Sequence, residues 1–256
     1  MTSSPRIGVL GVGHLMYHVV PGMMRADTAP NITLSPRSGE RAQALSARFD
    51  LPIATNNAAL VEASDILIVA VRPFQVEEVI SNLPWRADQT ILSFAATVPI
   101  AAFTPHVNGA QVVLGMPVVA AEFGESPSCI FPDDPACRAL LEPCGSVIAL
   151  AREEDFAAAS VFGAYYGWTQ ALIKHASGWL AGQGLSEDTA RALVAGMTKA
   201  GASSVLERSD TPLASLIDEL CLPGSLTGEG VEILEGDEAF QPWNAAFETI
   251  FERIKG

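Results

Sequence analysis

The stretch Arg6-Ile7-Gly8-Val9-Leu10-Gly11-Val12-Gly13-His14-Leu15-Met16 decides how the rest of the chain is read. A short apolar run breaks on glycines and passes into an apolar-periodic segment, the pattern of a buried strand, a tight turn and a helix. Backbone N–H groups of such a turn and the positive end of the helix dipole can hold a pyrophosphate. Gly11 would supply the turn and Gly13 the close approach, with His14 and Leu15 following at the phosphate end. The third small residue of the usual dinucleotide fingerprint is replaced by Met16. Its bulk would push helix and strand apart unless the packing has adjusted. A glycine turn without a ligand is the alternative for the same residues.

Outward from this turn, further β-type runs occur at 31–35, 65–71, 89–95 and 111–116, separated by helix-like stretches such as 39–49 and 57–63. That alternation predicts an α/β fold with a doubly wound parallel sheet of Rossmann type. Two later pieces, 129–131 and 147–150, are expected to extend the sheet edge. From Glu153 the composition changes to a proline-free run reaching Gly182, read as one long helix, and Ser186 can cap the next. The expected division is therefore 1–152 for nucleotide binding and 153–256 for an all-helical domain. Its helices are apolar on more than one face, so a partner subunit is expected to cover them, giving a homodimer or higher homo-oligomer.

Composition narrows the function. The 256 residues are 49% apolar, and 29 acidic against 15 basic side chains leave a net charge of −14. Nucleic acid and acidic membrane surfaces are poor partners for such a surface. No run approaches the roughly 18 apolar residues that cross a bilayer, and the N-terminus lacks a signal-peptide pattern, so a cytoplasmic location is expected. Cys129, Cys137, Cys144 and Cys221 form no Cys-x-x-Cys pair and read as reduced. His14, His18, His106 and His175 form no zinc-type cluster with them, so no metal is expected.

At the end of the second strand, where an acidic residue would bond the 2′-hydroxyl of NAD, the chain has Ser35-Pro36-Arg37-Ser38. Ser35 can donate to a 2′-phosphate and Arg37 can pair with it through its guanidinium fork, so NADP, used as NADPH, is favoured over NAD. The plain alternative for Arg37 is a solvated surface charge.

Several motifs together resemble the pyrroline-5-carboxylate reductase family, which reduces a cyclic imine to proline with NAD(P)H. They are the glycine turn Gly8 to Met16, Ala70-Val71-Arg72-Pro73 beside the family's Ala-Val-Lys-Pro, and Ser93-Phe94-Ala95-Ala96-Thr97-Val98 beside its Ser-x-Ala-Ala-Gly-Val. Met116-Pro117 matches the start of Met-Pro-Asn-Thr-Pro, and Pro223-Gly224-Ser225-Leu226-Thr227 is similar to Pro-Gly-Gly-x-Thr. The resemblance spans nearly the whole chain. It implies that Asn57 and Ala70, Val71, Arg72 and Pro73 line the adenosine and ribose side of the cofactor, and that Ala95, Ala96 and Thr97 lie beside the nicotinamide. It implies further that Met116, Gly224, Ser225, Leu226 and Thr227 meet the substrate, with Thr227 and Ser225 as the catalytic candidates. A helix N-terminus there suits an anion on physical grounds too, although an ordinary N-cap would read the same.

Two departures make the implied pocket bulkier and less polar. Val118-Val119-Ala120 stands for Asn-Thr-Pro, and Phe162-Gly163-Ala164-Tyr165-Tyr166-Gly167-Trp168 stands for Ser-Gly-Ser-Gly-Pro-Ala-Tyr. A site that loses donors loses discrimination for a small polar imine. Tyr165, Tyr166, His175 and Glu229 are further polar candidates, each more simply read as structural. Lys174 invites comparison with β-hydroxyacid dehydrogenases, but Gln170 occupies the position where their Gly-x-x-x-Lys pattern has glycine. The leading expectation is reduction of a C=N bond. The alternatives are a non-catalytic NADP-binding sensor or partner protein, and a reductase of a more apolar imine or carbonyl compound.

Overall fold

The computed structural model describes residues 4–95 and 97–255. β1 (Arg6–Leu10) runs into α1 (His14–Met23), and the alternation continues through β2 (Asn31–Leu34), α2 (Gly39–Phe49), α3 (Asn57–Ala63) and β3 (Ile66–Val69). It goes on through α4 (Val76–Ile80), β4 (Thr90–Ser93), α5 (Ile100–Phe103) and β5 (Gln111–Met116). β6 (Ser128–Phe131), α6 (Pro135–Leu141) and β7 (Val147–Ala149) follow. The described strands form one seven-stranded sheet in the order β2-β1-β3-β4-β5-β6-β7. The strand order reverses between β1 and β3, which opens a crevice at their C-terminal ends.

All the expected strands form; β1 and β5 have the expected bounds, β6 starts one residue earlier at Ser128, and β2, β3, β4 and β7 are shorter. The residues trimmed from the long runs still complete the ladder: the amide of Asp65 donates to Arg6 O, that of Thr90 to Asp65 O and that of Phe94 to Val69 O. Among the described strands the one antiparallel pairing is β5 with β6. The connection between them is shorter than the dozen or more residues of a crossover, so the chain turns back.

Both faces of the sheet are buried at β1, β3 and β4, which is why β3 reads as an uninterrupted apolar run. Ile66 and Ile68 enter one core with Ile7, Val9, Met16 and Ile32, while Leu67 and Val69 enter the other with Leu10, Leu60 and Ile91. Alternate side chains of a strand necessarily point to opposite faces. Met16 is fully buried in the first core, so its bulk is absorbed beneath α1. Burial of a side chain of this size stabilises by about 1.5–3 kcal/mol. Cys137 and Cys144 are buried there as well, which drives both thiols upward, Cys144 to about 12. All four cysteines are free.

The sheet unit continues past the change of composition at Glu153 as far as Gly163. Phe156 and Val161, in the first turns of α7 (Asp155–Gly182), are buried, and Phe156 packs with the second core. A second unit runs from Ala164 to Ile254. It contains the rest of α7 with α8 (Glu187–Glu207), α9 (Leu213–Asp218), α10 (Leu226–Gly236) and most of α11 (Gln241–Lys255). Ser186 caps α8 by accepting the Thr189 amide at 3.2 Å. Within this unit Tyr165 and Trp168 of α7 cluster with Trp243 and Phe247 of α11, ring centroids 5.4–6.4 Å apart. Many apolar side chains stay exposed, among them Trp179, Met197, Leu206 and Leu226. Among the described residues no helix is long and apolar enough to cross a membrane.

Candidate functional site

A cleft of about 400 Å³ lies where the strand order reverses, and Gly11, Gly13, Ser35, Arg37, Asn57, Ala70, Val71 and Arg72 all line it. Eight residues nominated from the sequence thus meet in one place, contributed by the turns after β1, β2 and β3 and by the start of α3.

Gly11 adopts φ +95°, and a Cβ at that position would sit 2.7 Å from Val71 Cγ1 and 2.8 Å from Ala70 O. Any side chain there would be strained twice over, by conformation and by contact. Gly13 differs, since a Cβ built on it meets nothing within 4 Å. Its missing side chain therefore leaves room on the cleft side rather than relieving a clash inside the protein. Gly13 is also the N-cap of α1 and offers no side chain to its first-turn amides. Those N–H groups and the positive end of α1 are available to an anion.

The Gly11 amide donates to Ser35 Oγ at 3.1 Å. Ser35, 2% exposed, is thus a clamp between the end of β2 and the glycine turn, a role its expected contact with a 2′-phosphate did not anticipate. Its hydroxyl hydrogen remains able to donate, because the bond to Gly11 uses only an oxygen lone pair.

The tandem Asn56-Asn57 divides two tasks. Asn56 caps α3, its Oδ1 accepting the Ala59 amide at 2.8 Å. Asn57 lines the cleft, and its Oδ1 is buried without a hydrogen-bond partner. A buried acceptor left unsatisfied costs about 1–3 kcal/mol, so this atom fits a ligand hydroxyl that would donate to it.

The cleft also contains Gln75, Glu78 and Val79, which sequence reasoning missed. Gln75 Oε1 accepts the Arg72 amide at 3.4 Å. Glu78 pairs with Arg37, Oε1 to Nη1 at 3.8 Å. Arg37 is therefore both solvated and part of the cleft wall.

Other nominated residues lie elsewhere. His14 is exposed at the start of α1, its ring 4.9 Å from that of His18, whose Nδ1 is 2.9 Å from Glu122 Oε1. Leu15 packs against the first core, and Pro73 opens a 3₁₀ turn beside the cleft without lining it. Ala95 is buried in the second core, and Ala96 lies outside the described residues. Thr97 takes φ 73°, in the left-handed region where the resembling motif has glycine. Met116 is half-buried at the end of β5, its Sδ 3.5 Å from where a Gly163 Cβ would stand. The loop beyond it is fixed by the Val118 amide donating to the buried Ser126 Oγ at 2.9 Å.

In the helical unit Gly224, with φ +76°, makes the turn before α10. Ser225 is the N-cap: its Oγ accepts the Gly228 amide at 3.0 Å and donates to Leu220 O at 3.0 Å. Both functions of that hydroxyl are used within the protein. Leu226 and Thr227 are exposed at the start of the helix. Tyr165 belongs to the aromatic cluster described above.

Comparison with known proteins matches the two parts of the chain to separate family models. Residues 6–97 match the family model described as NADP oxidoreductase coenzyme F420-dependent, and residues 153–256 match that described as pyrroline-5-carboxylate reductase dimerisation. The pyrroline-5-carboxylate reductase of Methanosarcina acetivorans is 27% identical over 242 residues, covering 90% of this chain and 89% of that protein. Among solved structures, the 1-pyrroline-5-carboxylate reductase of Streptococcus pyogenes superposes with a TM-score of 0.85 at 22% identity, covering 98% of both chains. The pyrroline carboxylate reductase of Plasmodium falciparum, solved with NADP bound, gives 0.84 at 21% identity over 98% of this chain and 97% of that one.

Proposed function

We propose, for a chain that belongs to the pyrroline-5-carboxylate reductase family, that it is an NADPH-dependent reductase of a cyclic imine, 1-pyrroline-5-carboxylate being the named substrate. The observation that carries the cofactor reading is the cleft at the strand-order reversal, where an open glycine, uncapped helix amides, two arginines and an orphaned asparagine oxygen converge. Each matches a different part of a phosphorylated dinucleotide. The α1 amides suit the pyrophosphate, Asn57 Oδ1 suits a ribose hydroxyl, and the Arg37 fork suits a 2′-phosphate.

NADPH, when bound, supplies the hydride. The protein's part is to orient the two reactants and exclude water. An iminium carbon is already electrophilic, so a hydroxyl is sufficient to orient the ring nitrogen. Thr227 is proposed for this, since its hydroxyl is exposed at the start of α10, whereas that of Ser225 is committed to the cap. Ser225 then acts by shaping the turn that presents Gly224, Leu226 and Thr227. The first-turn amides of α10 suit the substrate carboxylate.

A less polar imine is the second reading. It is favoured by Val118 and Val119, and by the Val118 amide being held by Ser126 instead of facing a ligand. The helical unit, with its dimerisation match and its exposed apolar side chains, supports a homodimer or a higher homo-oligomer.

The test is to mix the purified protein with NADPH and a panel of cyclic imines, from 1-pyrroline-5-carboxylate to apolar analogues, while following the absorbance of the reduced cofactor. Oxidation with one of them supports catalysis and identifies the substrate class. Tight NADPH binding with no turnover on any imine removes the imine-reductase reading and leaves a nucleotide sensor or a reductase of a carbonyl compound. Thr227→Val should lower turnover with little change in NADPH affinity; full turnover would take Thr227 out of the mechanism.

A further inference from the structure

The nucleotide cleft contains a carboxylate that competes for its own cation. Glu78 reaches into it from α4, and Arg37 comes from the 3₁₀ turn after β2; Oε1 and Nη1 are 3.8 Å apart and both side chains are 71% exposed. The neighbouring acid, Glu77, points elsewhere, its Oε1 3.9 Å from His106 Nε2. Arg72 stands in the same cleft wall. The charged side chains lining the cleft are thus Arg37, Arg72 and Glu78, and Glu78 is the acidic member placed against the arginine suited to a 2′-phosphate.

The geometry points to Glu78 as the residue that limits this cleft's preference for a 2′-phosphorylated nucleotide, an inference that rests on the cofactor reading above. The physical reason is competition. A phosphate monoester carries close to two negative charges, and to reach the Arg37 fork it must displace or accommodate the Glu78 carboxylate. Like charges that share one guanidinium lie within a Debye length of about 8 Å, so salt screens their repulsion only in part. A 2′-hydroxyl carries no charge, and finds in Glu78 an acceptor of the kind that recognises ribose in NAD-dependent folds. The same carboxylate therefore handicaps NADPH and assists NADH. The exposure of the Arg37–Glu78 pair matters too, because a solvated pair of long side chains is weakly held and can be opened by an incoming phosphate.

Glu78→Gln keeps the size and hydrogen-bonding capacity of the side chain and removes its charge. Measured by calorimetric titration, this variant should bind NADPH about 3- to 10-fold more tightly than the wild type, with NADH binding unchanged or weaker. The gain should shrink as salt is raised, and Glu78→Ala should show the same rise in the NADPH to NADH affinity ratio. Circular dichroism melts of both variants check that the fold is intact. An unchanged ratio in both variants, with the wild type binding NADPH, overturns the inference and leaves the cofactor reading standing. Failure of the wild type to bind either nucleotide overturns the cofactor reading, and the inference falls with it.

Discussion

Ser35 Oγ accepts the Gly11 amide at 3.1 Å, joining the end of β2 to the turn after β1. The bond is part-buried, and it holds a glycine whose conformation other residues rarely adopt. Ser35→Ala would leave the Gly11 N–H without its partner and the turn less well fixed. A loss of about 1 kcal/mol, near fivefold in affinity for NADPH, is expected. Calorimetric titration of the variant measures it, and an unaltered dissociation constant would show that the turn holds its shape unaided.

Thr97 occupies φ 73° with a β-branched side chain, which disfavours that region more than most residues do. Replacing it with glycine relieves the strain at some cost in unfolded-chain entropy. The net expectation for Thr97→Gly is a gain of about 1 kcal/mol and a melting temperature a few degrees higher. A melting temperature below that of the wild type would mean that the threonine side chain contributes contacts outweighing its backbone cost.

Asp65 receives the Arg6 backbone amide at 2.8 Å and the guanidinium Nε and Nη2 at 3.1 and 2.6 Å, which ties the start of β1 to the start of β3. The guanidinium lowers the Asp65 carboxyl to about 2. A depressed folded-state value means that the contribution is complete above the ordinary carboxylate range and fades as pH falls from about 4 towards 2. Both side chains are substantially exposed, so solvent screening holds the Asp65 contribution to about 1 kcal/mol or less. Denaturant titrations of Asp65→Asn and wild type should differ by that amount at pH 7 and converge near pH 2. A gap that persists undiminished at the acid end would mean that the asparagine disturbs packing instead of charge.

Local chemistry made much of this molecule readable. Apolar runs marked the central strands, because both faces of the sheet are buried there and the runs had to be continuous. Ser186 announced the start of α8 through its own hydroxyl. Residues that act across distant segments were harder to see. The linear pattern offers Ser35 to a phosphate, because nothing in it shows that the serine oxygen meets the Gly11 amide in the turn after the neighbouring strand. Glu78 was overlooked because α4 is short and carries no motif, although the crossover from β3 returns it to the cleft. Ser225 illustrates a different obstacle: a cap and a ligand-binding hydroxyl have the same residue type at the same helix position, and only its bonds to Gly228 and Leu220 separate them.

The apolar side chains that α7, α8 and α10 leave in contact with water, Trp179 at 64% and Met197 at 72% exposure among them, bear on how the protein should behave on dilution. If folding of these helices is completed by association, mass action makes heat resistance depend on the amount of protein in solution. Calorimetric scans over a hundredfold range of concentration should then show the unfolding temperature climbing with concentration, and a flat response would describe a chain whose folded state stands alone.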